Sequence, residues 1–442
     1  MKNYRLSKYT SCYENGNELN VYNSLTGLKG RIYDQQLINQ IHKLSNSLLQ
    51  EGDVDQRLID AHIAVEENID EVLIAEDVIS AGLSRNESKF RLIILPTREC
   101  NFRCKYCYET KKHLNMTFEM ADNLIHATKK YLEANRGIRF LQLEWFGGEP
   151  LLSYDIIIYV SEALKQYSEE HSINFSMSIT TNGYLLTKER AERLVSLNLF
   201  SYQITVDSFA KYHDELRILK NGGPTWDVIY KNLLDLKTID NENLSVTIRI
   251  NYHLNMVEEI PEFIKMIKRD FDKRFLVYAI RINPTPEFEK EFTPVNIEAE
   301  SFALEYIIDA MKENGLSIER YMTNMSPTAS ACYARMNYVY IIDADGTLKK
   351  CTEYLDEDYW NNIGTIKNGF FEVDYYKHTQ WLYPKKDQIV KQKCYDCVDY
   401  PNCCGGLCPA QWLINKNTVC NPLRKFNGLF LEQYINEKYN KE

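Results

Sequence analysis

From Phe90 to about Asn314, short runs rich in β-branched and aromatic residues alternate with stretches of helical apolar spacing. Six strand candidates, at 91–96, 139–145, 174–181, 201–206, 245–251 and 275–282, are separated by helical stretches at 117–134, 154–170, 188–197, 227–236 and 260–268. Strands joined by crossover helices run parallel, because each helix returns the chain to the same end of the sheet. The pattern predicts an α/β fold with a helix-covered parallel sheet, either doubly wound or curled into a barrel. In both arrangements the chemistry gathers at the carboxyl ends of the strands.

The flanks read differently. Residues 1–86 carry a hairpin signal at Asn15-Gly16 and helical spacing at 34–50 and 55–79, which suggests a small α+β module. That module holds 8 Lys/Arg against 13 Asp/Glu, half of the formal charge of −10. The net charge of −10 gives the whole protein a field that repels nucleic acid. No stretch approaches the roughly 18 uninterrupted apolar residues of a membrane helix, and the start has no apolar signal core, so a cytoplasmic protein is expected. Eleven of the twelve cysteines lie after residue 99 in two groups, a placement that speaks for metal or redox chemistry rather than a disulfide framework. Lone Cys12 has no expected metal role.

The first group follows the first strand: Cys100-Asn-Phe-Arg-Cys104-Lys-Tyr-Cys107. Three thiolates at this spacing can wrap one side of an iron–sulfur cube and leave the fourth iron open, whereas structural zinc wants four closed ligands. CxxxCxxC with an aromatic before the last cysteine, here Tyr106, resembles the radical S-adenosylmethionine (SAM) superfamily. The resemblance implies a partial (β/α)6 barrel. It also implies a [4Fe–4S] cluster whose open iron chelates SAM, and reductive cleavage to methionine and a 5′-deoxyadenosyl radical that abstracts a substrate hydrogen. Gly147-Gly148-Glu149 after the second strand is similar to that family's GGE segment, with Glu149 facing the SAM amino group. Thr181-Asn182 after the third is similar to the ribose-binding segment. Asp207-Ser208, His213-Asp214 and Arg217 are similar to a DG…HD…R run of the peptide-modifying branch, Ser208 departing from the usual glycine. Arg249 on the fifth strand matches a position that commonly pairs with the SAM carboxylate.

The second group places eight thiols in 89 positions. Spacing alone does not separate zinc from iron–sulfur. Behind such a core, however, the string resembles the SPASM extension, except for one surplus cysteine at 403–404. The resemblance implies one auxiliary cluster on Cys394, Cys397, Cys403 and Cys420 and a second on Cys332, Cys351 and Cys408, with the role of Cys404 open. The expected domains are therefore an N-terminal module at 1–86, a radical SAM core at 87–313 and a SPASM domain at 314–442.

The implied enzyme is an iron–sulfur oxidoreductase that abstracts hydrogen from a ribosomally made peptide or a protein side chain, forming a thioether or other cross-link. Formylglycine formation, as in sulfatase maturases, is the alternative within that class. It is disfavoured because Thr352 stands where those enzymes carry Asp after the cysteine; Glu353 or Asp207 are other base candidates. A zinc-stapled binding protein is the alternative of another class. Residues 1–86 are a candidate leader-peptide module, recognising by strand addition. Lys385, Lys386, Lys391 and Lys393 are a candidate docking run for a flavodoxin or ferredoxin-type electron donor. Metal analysis of the reconstituted protein separates the classes: three cubes give about twelve irons with equal sulfide, a stapled module about two zincs.

Overall fold

The computed structural model describes residues 2–84, 88–282, 288, 297–322, 325–328, 331–382, 389–390, 393–406, 408–414, 416, 419–420 and 422–439. It contains two compact units. One comprises Glu87–Ile318 and Tyr338–His378; the other comprises Met1–Asn86, Glu319–Asn337 and Thr379–Glu442.

The first unit is built on six parallel strands: β1 (Lys89–Ile94), β2 (Phe140–Trp145), β3 (Asn174–Thr181), β4 (Leu199–Thr205), β5 (Ser245–Tyr252) and β6 (Phe275–Arg281). They lie side by side in chain order, as in a partial (β/α)6 barrel. Each coincides within two or three residues with its expected position. β1 is apolar on both faces, with Phe90, Leu92, Ile93 and Ile94 buried, as a strand covered on both sides must be. The crossover helices α1 (Phe118–Ala134), α2 (Tyr154–Glu170) and α3 (Lys188–Ser196) start where the sequence places them. Thr117 caps α1 by accepting from Met120 N (3.1 Å), and Thr187 caps α3 by accepting from Arg190 N (3.4 Å).

Sequence periodicity did not reveal how the sheet continues. β7 (Val339–Ile342) pairs parallel with β1, and β8 (Thr347–Lys349), β9 (Gly364–Lys367) and β10 (Phe370–Val373) extend the same sheet antiparallel. All four β7 residues are buried, so the strand gains more against β1 than it would in a separate module. The expected 314–442 domain is thereby divided: 338–378 joins the sheet, while 319–337 and 379–442 join the N-terminal residues.

In the second unit Asn3–Leu6 is the centre of a three-stranded sheet, between Leu49–Gln50 and Ala64–Glu66. A second sheet contains the Thr10–Asn15/Glu18–Asn23 hairpin at the expected Asn15-Gly16 turn, with Gly16 at φ +62°. The stretch expected to be helical over 55–79 is interrupted. Gln56–Asp60 and Glu71–Ser84 are helical, but His62 takes φ +56° and turns Ala64–Glu66 into the sheet. Tyr9, Ala75 and Ile79 from the N-terminal residues share a core with Ile389, Tyr400 and Cys404. Among the described residues no helix is long and apolar enough to cross a membrane.

Leu143, fully buried in β2, tests the sheet core. Leu143→Ala is expected to lower stability by about 2–5 kcal/mol in denaturant titration, whereas Phe140→Ala at the exposed start of the same strand stays close to wild type.

Candidate active site

The three-thiol loop leaves the carboxyl end of β1. It has little regular structure of its own and is held from outside. Phe102–Cys104 pairs antiparallel with Arg217–Leu219, and the ribbon is extended by Lys105 N–H to Leu216 O (2.9 Å) and Lys220 N–H to Asn101 O (2.7 Å). Cys100, Cys104 and Cys107 are all half-buried. Burial pushes the Cys100 thiol up to about 12 and raises Cys104 as well, so cluster assembly there displaces protons. Three thiols on a braced loop at the strand ends, with no fourth beside them among the described residues, are a donor set that fits a cluster with one open iron.

The glycine segment after β2 packs against the stem of that loop. Gly148 N–H donates to Thr97 O (3.3 Å) and Glu149 N–H to Glu99 O (2.8 Å). A Cβ on Gly147 (φ +113°) would lie 2.5 Å from Thr97 O, and one on Gly148 2.1 Å from Glu99 O. The close approach that requires glycine is therefore to the protein's own carbonyls.

Glu149, expected beside the SAM amino group, is engaged here by the protein's own groups. Its side chain is fully buried and accepts from Thr181 Oγ1 (2.7 Å), Asn182 N (2.7 Å) and Leu151 N (3.0 Å). Burial pushes its carboxyl up, and these donors oppose the shift. Asn182 in turn donates to Asn101 Oδ1 (2.8 Å) and accepts from Tyr184 N (3.0 Å). The structure does bring Glu149, Thr181 and Asn182 together, but it turns their polar groups on one another and on the cysteine loop. Polar atoms this deep require such partners. Arg249 differs: half-buried at the end of β5, it donates from Nε to Asn251 Oδ1 (3.0 Å), and its terminal nitrogens make no hydrogen bond among the described residues.

A hub that sequence reasoning did not assemble lies between these loops. The Tyr106 hydroxyl donates to Asp207 and accepts from Arg217 Nη1 (2.8 Å) and Asn251 Nδ2 (3.0 Å). Asp207 also accepts from Asn251 N (3.0 Å). Burial raises Asp207, with Arg217 the leading opposing influence. His213 accepts from Asp207 N (3.2 Å) at Nδ1, which leaves Nε2 to donate to Thr225 Oγ1 (3.1 Å); burial holds this imidazole neutral. Ser208 has φ +93°, the conformation that explains the family's usual glycine. Its hydroxyl donates to Glu259 (2.7 Å) and its carbonyl accepts from Trp226 Nε1 (2.9 Å), which offset the strain.

Arg98 also escaped notice. Only 1% exposed, it pairs with Asp343 (3.1 Å) at the end of β7 and Asp356 (3.2 Å). It thus ties the stem of the three-thiol loop to the segment carrying Cys351. Cys351 itself is clamped by Asn361, which accepts from Cys351 N (2.9 Å) and donates to Cys351 O (2.8 Å). An arginine next to the motif, facing two aspartates on either side of a later cysteine, was the signal in the sequence.

In the second unit Cys394 has Cys403, Cys397 and Cys420 as electrostatic neighbours, and burial pushes it up to about 11. Cys403 receives the N–H groups of Gly405 and Gly406. Cys404, at φ +59°, points the other way into the core with Tyr9 and Ile389 and is 2% exposed, which makes it the packing residue of the pair. Cys332 and Cys408 lie in this unit and Cys351 in the other. Among the described residues no three His, Cys, Asp or Glu side chains gather at single-ion spacing; a cube instead takes one thiolate per iron. Of the basic run, Lys385, Lys386 and Lys391 lie outside the described residues.

Residues 94–267 match the family model described as the radical SAM superfamily. The chain is similar to the radical SAM cyclopropyl synthase TigE of Paramaledivibacter caminithermalis, 27% identical over 246 residues (52% of this chain, 48% of that protein). It is also similar to a probable GTP 3′,8-cyclase of Archaeoglobus fulgidus, 27% identical over 215 residues (48% of this chain, 67% of that protein). The chain spans about half the length of the first curated relatives it matches. In fold it is similar to anSMEcpe with bound AdoMet and Cp18Cys peptide (TM-score 0.61, 17% identity, 80% of this chain, 100% of that one). It is likewise similar to Streptococcus suis SuiB bound to precursor peptide SuiA (TM-score 0.50, 17% identity, 92% and 95%). The chain carries a radical SAM domain. Its cofactors are a [4Fe–4S] cluster and S-adenosylmethionine.

Tyr106→Phe removes the shared partner of three buried groups while leaving the thiols in place. We expect a loss of about 1–3 kcal/mol, read as a lower thermal midpoint of the metal-free protein.

Proposed function

We propose that this protein is a radical SAM peptide maturase in which Cys100, Cys104 and Cys107 hold the [4Fe–4S] cluster that binds SAM. When bound and reduced by one electron, that pair supplies a 5′-deoxyadenosyl radical able to take a substrate hydrogen. The chain's own residues position it. The terminal nitrogens of Arg249 suit the SAM carboxylate. Gly147, Gly148, Glu149, Thr181 and Asn182 form the wall beside it, Glu149 acting through Thr181 and Asn182. The observation that carries this reading is the braced loop of three thiols with no fourth beside them among the described residues. Cys394, Cys397, Cys403 and Cys420 hold one auxiliary cluster. Cys332, Cys351 and Cys408 are assigned to the second by the sequence resemblance.

The substrate is a ribosomally made peptide, joined through a thioether or other cross-link. A groove of about 640 Å³ supports this choice. It runs along the outer edge of Ala64–Glu66, unpaired among the described residues, and is lined by Val65 from that strand and by Ile69, Ile74 and Val78. A leader segment adding as a fourth strand would meet backbone donors and acceptors on one side and apolar side chains on the other. Likeness in fold to peptide-bound structures extends over 80% and 92% of the chain. The electron donor is of flavodoxin or ferredoxin type, and the setting is the cytoplasm.

Anaerobically reconstituted protein given SAM and reductant is expected to release 5′-deoxyadenosine, detected by mass spectrometry, and Cys104→Ala none. Absence from iron-loaded wild type sinks the radical assignment. Because the N-terminal residues share a core with the cysteine-rich segment, a point change tests the groove better than a deletion. Ile74→Glu, at a 41% exposed position, is expected to weaken precursor binding at least tenfold, roughly the effect of a buried charge. Unchanged affinity removes leader recognition.

A further inference from the structure

Two charged side chains beside the three-thiol loop have no part in the contacts described so far. Lys111 lies four residues beyond Cys107, and its ammonium stands 3.8 Å from Glu109 Oε2. The Lys111 side chain is 21% exposed and that of Glu109 only 7%. Glu109 Oε2 is buried and accepts no hydrogen bond, so Lys111 is the charge that balances it. The same ammonium acts electrostatically on Cys107, Cys100 and Cys104, and the pair sits against the motif, where the Cys107 thiol donates to Glu109 O (3.9 Å). A lysine on a loop ordinarily carries its charge out to water. Here a carboxylate on the same loop holds the charge toward three sulfurs.

We propose that Lys111, held in place by Glu109, is a fixed positive charge at the SAM-binding cluster that raises its reduction potential and so eases electron entry from the donor. The inference rests on Cys100, Cys104 and Cys107 carrying that cluster. Reduction adds one electron to a thiolate-bound cluster that is already anionic. A nearby cation stabilises the reduced form more than the oxidised one. Lys111 is therefore a positioning residue, acting on the cluster rather than on substrate.

The test is a redox titration of full-length reconstituted protein with dithionite and mediators, followed by electron paramagnetic resonance. Tracking the reduced signal that changes shape with SAM separates this cluster from the auxiliary ones. Lys111→Gln is expected to lower the midpoint, so that the reduced-to-oxidised ratio at the wild-type midpoint falls on the order of tenfold, as for a unit charge a few ångströms away in an effective dielectric near ~20. Lys111→Arg should stay near wild type. Lys111→Met, which removes the same charge with a side chain of similar length, should fall with Lys111→Gln. An unmoved midpoint in Lys111→Gln, or an equal fall in Lys111→Arg, overturns the proposal. Should Lys111→Gln fail to load iron, Lys111→Met decides, and an unmoved midpoint overturns the proposal. A wild type without any SAM-sensitive signal overturns the cluster assignment itself, a failure distinct from an unshifted midpoint.

Discussion

A hydroxyl that cannot reach water must find its partners inside the protein, and Tyr106 finds three. Asp207 comes from the end of β4, Arg217 from the ribbon that pairs with the cysteine loop, and Asn251 from β5. Loops at strand ends are normally the mobile parts of an α/β sheet. In this one, a residue inside the three-thiol motif is bonded to groups from separate crossings of the sheet, so the thiols inherit the rigidity of the strands. Each polar group in the hub is buried, and losing one partner strands the others.

The same economy of partners shapes the surrounding wall. Glu149 reaches from the second strand end to the third, Asn182 from the third back to Asn101 in the cysteine loop, and Arg98 from the first to Asp343 and Asp356. Residues that would be assigned to a ligand by motif alone are thus largely engaged in holding loops together. Arg249 is the exception: its terminal nitrogens make no hydrogen bond among the described residues, and its charge acts on Glu353 and Asp207. Ser208 shows how a departure from pattern is tolerated: the positive φ that glycine would take without strain is offset by two hydrogen bonds.

The second unit joins two parts of the chain that lie far apart in sequence. Its edge strand and groove come from the first eighty-six residues, and its four neighbouring thiols come from the last sixty-four. Tyr9 and Ala75 pack with Tyr400 and Cys404 in a common core, so the groove and the thiol-rich segment share one support. Packing distinguishes the two adjacent cysteines: Cys403 receives backbone donors, while Cys404 is enclosed among apolar side chains.

The sequence by itself determined the six parallel strands and their crossover helices. Apolar periodicity is a local property, and β1–β6 each bury enough side chains to show it. It determined the three-thiol loop too, since the CxxxCxxC spacing just beyond β1 is legible without a fold. Only the tertiary structure decided the rest. The short strands β7–β10 carry too few residues for periodicity to mark them, and they are strands because β1 offered an unpaired edge. Residues 55–79 look helical until Ala64–Glu66 finds a partner in Asn3–Leu6. Whether Glu149 faces a ligand or Thr181, and whether Cys403 or Cys404 faces the other thiols, depends on burial and on contacts between residues tens or hundreds of positions apart. Such contacts leave no trace in local spacing.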